Sequence, residues 1–230
     1  MCSFLFLCQF SSIFVHFHCF FHWFSHTFHA FSSNRSAIRD ASLISNPGCY
    51  ATGAQLALLP LIKTIGVSAS PSVFGVSGYS GAGTSPSKNN DPAYLKDNLV
   101  PYTLVDHMHE REVSHQLGTP INFMPHVAPF FRGITLTVNV PLTRSVTKGE
   151  LLDIFGEAYS GEALIKVGAE VPVVKDNSGK HHVAIGGFAV ANNRAVVVAT
   201  LDNLLKGAAT QALQNINLAY GFEELAGIKI

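Results

Sequence analysis

Three short stretches carry residues able to do chemistry. The first is Asn46-Pro47-Gly48-Cys49-Tyr50-Ala51-Thr52-Gly53, where a Pro-Gly turn presents a cysteine at the head of a long apolar run. Pro-Gly punctuates the backbone, so Cys49 falls in the first turn of the following helix. Unpaired N–H groups and the positive end of the helix dipole favour an anion there, which predicts a depressed thiol pKa and a nucleophile. The plainer reading, a small apolar residue capping a buried helix, fits the spacing equally well. The second stretch is Val105-Asp106-His107-Met108-His109-Glu110-Arg111-Glu112-Val113. Three residues apart on a helix, His109 and Glu112 share a face, so the carboxylate can hold the imidazole as in general acid/base pairs. His107 points elsewhere unless the helix begins late. A charged run of this kind also reads as a solvated helix face. His-x-His with one Glu lacks a further ligand at recognisable spacing, so no metal site is expected. The third stretch, Asn122 to Gly133, sets His126 and Arg132 in apolar surroundings where prolines fix an extended loop. Each of these two could be a satisfied structural group.

The elements that must position these residues follow from pattern. Ala41 to Ser45 reads as a short strand into the nucleophile turn, and the run from Leu56 to Ile65 is a helix apolar nearly all round, hence buried. Ser72 to Ser77 is strand-like and opens onto Gly78-Tyr79-Ser80-Gly81-Ala82-Gly83-Thr84. Such a loop lets backbone approach a ligand closely, though it is more often a plain surface turn. It does not fit the G-x-G-x-x-G dinucleotide fingerprint. The segment from Leu95 to Gly118 reads as helical after Pro101, with Gly118 as its stop. Ile134 to Val140 alternates as a half-buried strand. Thr147 and Glu150 make a capping box. Val183 to Ala191 and Arg194 to Thr200 flank Asn192-Asn193, a two-residue hairpin turn. Asp202 caps a last helix carrying Leu204, Leu205, Ala208, Ala209, Ala212, Leu213 and Ile216, ended by Gly221. The sum is an α+β domain, a mostly antiparallel sheet with the Cys49 helix and the final helix packed on one face.

The 230 residues permit one large or two small domains, and a net charge of zero with no basic run gives no nucleic-acid surface. Cysteines at 2, 8, 19 and 49 show neither zinc spacing nor a disulfide framework. Residues 1–31 hold ten of the 17 phenylalanines and five of the 11 histidines, with no Lys, Arg, Asp or Glu. His16, His18, His22, His26 and His29 interrupt every window long enough to span a membrane, so no membrane association is expected. Signal- and transit-peptide patterns are also absent. Phe, Ser, Leu, His and Cys are what pyrimidine-rich codons encode, which suggests translated non-coding sequence or a misjoined exon. Residues 1–33 are therefore expected to stand apart from a domain spanning 34–230.

The segment around Cys49 closely resembles the nucleophile segment of N-acetyl-γ-glutamyl-phosphate reductases, the arginine-pathway members of the semialdehyde dehydrogenase superfamily. The resemblance runs from about Asn34 to the C-terminus and is greatest to the fungal enzymes. It implies a glyceraldehyde-3-phosphate-dehydrogenase-like C-terminal domain, a homodimer or tetramer, NADP as cofactor, N-acetylglutamyl phosphate as substrate and a mitochondrial matrix location. Residue by residue it implies Cys49 as the nucleophile that forms a thioester. His109, ahead of His107, becomes the acid/base, with Glu112 orienting it. His126 and Arg132 match a segment near the family's active site, where an arginine suits an anionic substrate. Ser80-Gly81 matches a pair that touches the nicotinamide end of the cofactor, and Asn203 opens a similar Asp-Asn-Leu-x-Lys-Gly-Ala-Ala segment beside it. No strand, Gly-rich turn and helix precede Cys49, so the expectation is a catalytic and dimerisation domain without its dinucleotide-binding half, a poor reductase that still associates. The alternatives are an aspartate-semialdehyde-type dehydrogenase and a non-catalytic dimerisation module.

Overall fold

The strongest alternation in the sequence sits in the middle of the fold. In the computed structural model, which describes residues 6–7 and 32–230, Ile134–Pro141 is the central strand of a seven-stranded sheet. In chain order the strands are β1 (Ser72–Gly78), β2 (Val100–Pro101), β3 (Asn122–Ala128), β4 (Ile134–Pro141), β5 (Ile165–Val167), β6 (Val183–Ala191) and β7 (Arg194–Leu201). Their spatial order is β2-β3-β1-β4-β7-β6-β5. Pairing is antiparallel except between β1 and β3 and between β5 and β6. The expected mostly antiparallel α+β architecture is therefore present. The β6–β7 hairpin turns on Asn192 and Asn193, both at positive φ (49° and 56°), as a tight primed turn requires.

Because side chains alternate along a strand, the sheet has two unlike faces. Ile134, Leu136, Val138 and Val140 of β4 point to one side with Val197 and Ala199 of β7, and all are buried. Against them packs α2 (Cys49–Thr64), whose Leu56, Leu58 and Leu61 are fully buried. Flanking it are α3 (Met108–Leu117) and α4 (Lys148–Ala158), the latter inserting Leu151 and Phe155. Among the described residues no helix lies over the centre of the opposite face. Phe74, Met124, His126, Thr137 and Val198 lie there, exposed or half-buried, with Phe74 opposite both Met124 and Thr137, and Thr137 opposite Val198.

Four expectations change in detail. Helix α3 starts at Met108 rather than soon after Pro101, because Thr103 and Asp106 sit at positive φ (41° and 58°) and break any earlier turn. Residues 122–128 are strand β3, not loop, and Pro125 is carried within it. Thr147 caps α4 through Glu150 N at 3.1 Å, but the Glu150 carboxylate turns to Arg144, so the capping box is half made. The final helix is the largest departure. Asp202 caps it as expected, accepting from Leu204 N at 2.8 Å and Leu205 N at 3.1 Å. It then runs as a π-turn over Leu205–Ala209 before becoming α5 (Thr210–Ala219). The buried side of α5 is polar, with Thr210, Gln211, Gln214, Asn215 and Asn217, while Leu213 and Ile216 are half-buried. So α5 does not lie on the sheet through an apolar stripe. It joins α2 through Gln211 Nε2 to Thr52 Oγ1 at 2.9 Å, and packs on α1 (Ser32–Asp40) in a small core of Ile38, Ile44 and Leu218.

Helix α1 begins at Ser32, ahead of the boundary expected at residue 34. Phe6–Leu7 pairs in parallel with Ile44–Ser45. The rest of 1–31, with Cys2, Cys8, Cys19 and the histidines, lies outside the described residues. Among the described residues no helix is long and apolar enough to cross a membrane.

Candidate active site

The strand Ile44–Ser45 and the Pro47-Gly48 turn deliver Cys49 as the first residue of α2, with Gly48 as N-cap at φ −67°, ψ 155°. Thr52 closes the first turn, its N–H reaching Gly48 O at 2.9 Å and its hydroxyl the same oxygen at 3.0 Å. Two glycines let neighbours approach the thiol. A Cβ on Gly48 would fall 2.1 Å from His109 Nε2, and one on Gly207 would fall 2.8 Å from Cys49 Cβ. So an imidazole edge and a bare backbone are pressed against the nucleophile turn. Among the described residues the cysteine has no disulfide partner. Its thiol is not depressed as the sequence predicts. Burial pushes it up to about 11, with Glu112 adding to that, while the N–H groups of Tyr50 and of Cys49 itself pull the other way. Desolvation outweighs the favourable helix terminus.

The late start of α3 brings both histidines to this turn. His107 is the N-cap, and its Nδ1 accepts the His109 N–H at 3.0 Å. The neutral ring therefore carries its proton on Nε2. The two rings lie 4.8 Å apart. Burial lowers both, His109 to about 3 with His107 contributing, so both are neutral near pH 7. Glu112 does not hold His109. Its carboxylate instead accepts the Gly48 N–H at 3.1 and 3.4 Å, capping the helix that the glycine begins, and burial raises it to about 7. His109 Nδ1 is buried without a hydrogen-bond partner among the described residues.

These groups open onto a cavity of about 330 Å³ lined by Gly48, Cys49, His107 and His109 on one side and Ser80, Gly81, Asn203 and Gly207 on the other. Asn203 is a brace, accepting Gly133 N at 2.7 Å through Oδ1 and donating to Ser80 Oγ at 2.9 Å. Tyr102 and Asn46 are among the lining residues that the sequence did not mark as site residues. Tyr102 packs on His107 with ring centroids 5.7 Å apart. Asn46 presents its amide, its Oδ1 fixed by Asn215 Nδ2 at 3.0 Å. The one local signal for Tyr102 was an aromatic directly after Pro101; for Asn46 it was its place in the Cys49 segment.

The structure does not bring His126 or Arg132 to this cavity. Strand parity puts Val127 inward, so the His126 ring faces the helix-free side, tilted against Phe74 with centroids 4.3 Å apart. Arg132, half exposed, approaches the buried Asp202 at 3.7 Å. Among the described residues no three His, Cys, Asp or Glu side chains are arranged to hold a metal.

With this geometry in hand, the known proteins that resemble it are informative. A 57% identity over 200 residues relates the chain to "Protein arg11, mitochondrial" of Schizosaccharomyces pombe, covering 86% of the chain and 22% of that protein. A 60% identity over 187 residues relates it to an N-acetyl-gamma-glutamyl-phosphate reductase of Xanthomonas campestris pv. campestris, covering 80% of the chain and 58% of the enzyme. The chain thus spans about a fifth of the fungal relative and little over half of the bacterial one. In structure it resembles aspartate semialdehyde dehydrogenase II of Vibrio cholerae, with a TM-score of 0.67 over 82% of the chain and 65% of that protein at 20% identity, which shows the fold. The semialdehyde dehydrogenase dimerisation-domain family matches residues 49–203, from the nucleophile candidate to the brace beside it. The chain belongs to that family.

Proposed function

We propose that the chain is the thioester-forming, self-associating part of an NADP-dependent N-acetyl-γ-glutamyl-phosphate reductase in arginine biosynthesis. The observation that carries this reading is Cys49 opening a buried helix with the His109 Nε2 edge against its turn. The relatives at 57–60% identity support this substrate over aspartyl phosphate. His109, kept neutral by burial, takes the thiol proton as Cys49 Sγ attacks the acyl carbon. The carbon–oxygen bond to phosphate breaks, phosphate leaves with the electron pair, and a thioester remains on Cys49. Backbone N–H groups at the start of the Cys49 helix stabilise the oxyanion that forms on the way. His107, its Nδ1 occupied, offers Nε2–H as a donor. Glu112 acts on the turn rather than on the base, fixing the Gly48 N–H.

The cavity wall opposite the histidines suits a nicotinamide ring. At Gly81 a Cβ would fall 2.8 Å from Ser77 Oγ and 3.3 Å from Asn203 Nδ2, so this part of the wall takes glycine, and the Asn203 brace fixes Ser80 Oγ. NADPH bound there supplies the hydride that reduces the thioester to the semialdehyde. Ser80 and Gly81 orient it, and Asn203 holds Ser80 in place. The mitochondrial names of the fungal relatives support a matrix location, and the helix-free sheet face supports a dimer or tetramer.

The chain should be incubated with N-acetylglutamyl phosphate made in situ by a kinase, without cofactor, and analysed by peptide mass mapping. An acyl adduct on Cys49, released by hydroxylamine and missing in Cys49→Ser, is expected. No adduct, or one on another residue, overturns the reading, and preferential acylation by aspartyl phosphate moves it to that substrate.

A further inference from the structure

One buried cation near the nucleophile has no part in that chemistry. Lys206 is the second residue of the π-turn, only 4% exposed, and enters a second cavity of about 110 Å³ beside α1 and α5. Its ammonium donates to Gln214 Oε1 at 2.5 Å, and Gln214 Nε2 donates to Glu224 Oε1 at 2.7 Å. Arg35 of α1 joins the cluster, donating to Glu162 at 2.9 and 2.7 Å and to Glu224 at 2.6 and 3.3 Å. The charged groups facing Lys206 are thus Arg35 from α1, Glu162 from the loop after α4, and Glu224 from the C-terminal segment. Enclosing an ammonium among them is a poor route to stability, since well-packed apolar residues of similar volume commonly do as well or better. What the cluster does supply is a fixed position.

That position matters because the next residue is Gly207, whose Cα side lies against Cys49. A π-turn holds one residue more than an α-helix requires and persists where its surroundings hold it. Asp202 fixes one end through Leu204 N, Leu205 N and Gly179 N. Lys206 fixes the other. We propose that Lys206 is a positioning residue for Cys49, its ammonium anchoring the π-turn so that Gly207 stays packed on the Cys49 Cβ and covers that side of the thiol. Burial lowers Lys206 to about 8, with Glu224 and Glu162 opposing, so it is charged at pH 7. The bearing on catalysis rests on Cys49 being the nucleophile, but the test reads the thiol's surroundings and not turnover.

Iodoacetamide labelling of Cys49 at pH 7, followed by peptide mass mapping, is compared in the native chain, Lys206→Met and Lys206→Arg. Losing the anchor admits water and lowers the thiol pKa, so Lys206→Met should label faster, about tenfold for each pKa unit lost. Lys206→Arg keeps the charge and should stay within about twofold of native, which a merely space-filling role would not require. A folded Lys206→Met labelling at the native rate overturns the proposal. Should that variant fail to fold, Glu224→Gln weakens the cluster from its far end, and unchanged labelling there overturns it equally.

Discussion

Burial sets the protonation of every group around Cys49. It holds the thiol at about 11, His109 at about 3 and Glu112 at about 7, so the resting pair at neutral pH is a thiol beside a neutral imidazole. Such a pair needs the imidazole at the moment of attack. In a full-length reductase carrying this domain, His109→Ala should lower turnover by about 10²–10⁴, as loss of general acid/base help does, and His107→Ala by less. Equal losses would reassign the base. Glu112 gives a prediction of opposite kind. Its folded pKa lies above its ordinary 4.5, so the penalty for charging it is absent below that pH and complete above about 7. Glu112→Gln keeps an acceptor for the Gly48 N–H and removes the penalty. The stability gained by Glu112→Gln should therefore be larger at pH 8 than at pH 4.5 by on the order of 2–3 kcal/mol. Urea unfolding at both pH values checks this, and a difference independent of pH would refute it.

Elements decide which of these groups can meet. The π-turn must carry glycine where it touches α2. With 2.8 Å to Cys49 Cβ and 3.3 Å to Cys49 Cα, Gly207→Ala forces the turn or the nucleophile to move. A cost of about 1–3 kcal/mol is expected, as for overpacked cores, together with loss of activity. Full activity with unchanged melting would contradict the close packing. Local chemistry made much of this readable from the chain. Pro47-Gly48 before Cys49, Asn192-Asn193 between two strands and Asp202 before an apolar run each act within a few residues, and each forms what its local chemistry dictates. The inward residues Phe123 and Val127 also place His126 outward by simple alternation once β3 is taken as a strand; reading its prolines as loop hid that. What no local pattern carried was long-range choice. Glu112 shares a face with His109 but finds the bare Gly48 N–H, 64 residues away, because an uncapped helix start is the stronger attraction. On the amide-lined face of α5, Gln211 and Asn215 likewise bond to Thr52 and Asn46 on distant segments.

At the scale of the molecule, the helix-free sheet face is the surface through which copies should join. Phe74, Met124 and Val198 lie on it beside Thr137, an exposed apolar patch on a rigid base. Phe74→Glu would place a carboxylate in any such interface without disturbing the buried face. Its effect should be to weaken self-association by about 2–4 kcal/mol while leaving the melting of the single subunit near native. Light scattering across a dilution series measures this; an unchanged dissociation constant would move the interface elsewhere.

The two-sidedness of the sheet also bears on how subunits share work. The Cys49 cavity is lined by none of Phe74, Met124, His126, Thr137 or Val198. A copy docked on that face therefore stands behind the sheet and lends no side chain to its neighbour's chemistry. Mixed assemblies should then behave as sums of their members. When native and Cys49→Ser reductase subunits are unfolded together and co-refolded, activity should fall in straight proportion to the native fraction, with neither complementation nor poisoning. Curvature in either direction would mean that one subunit reaches through the sheet to the other.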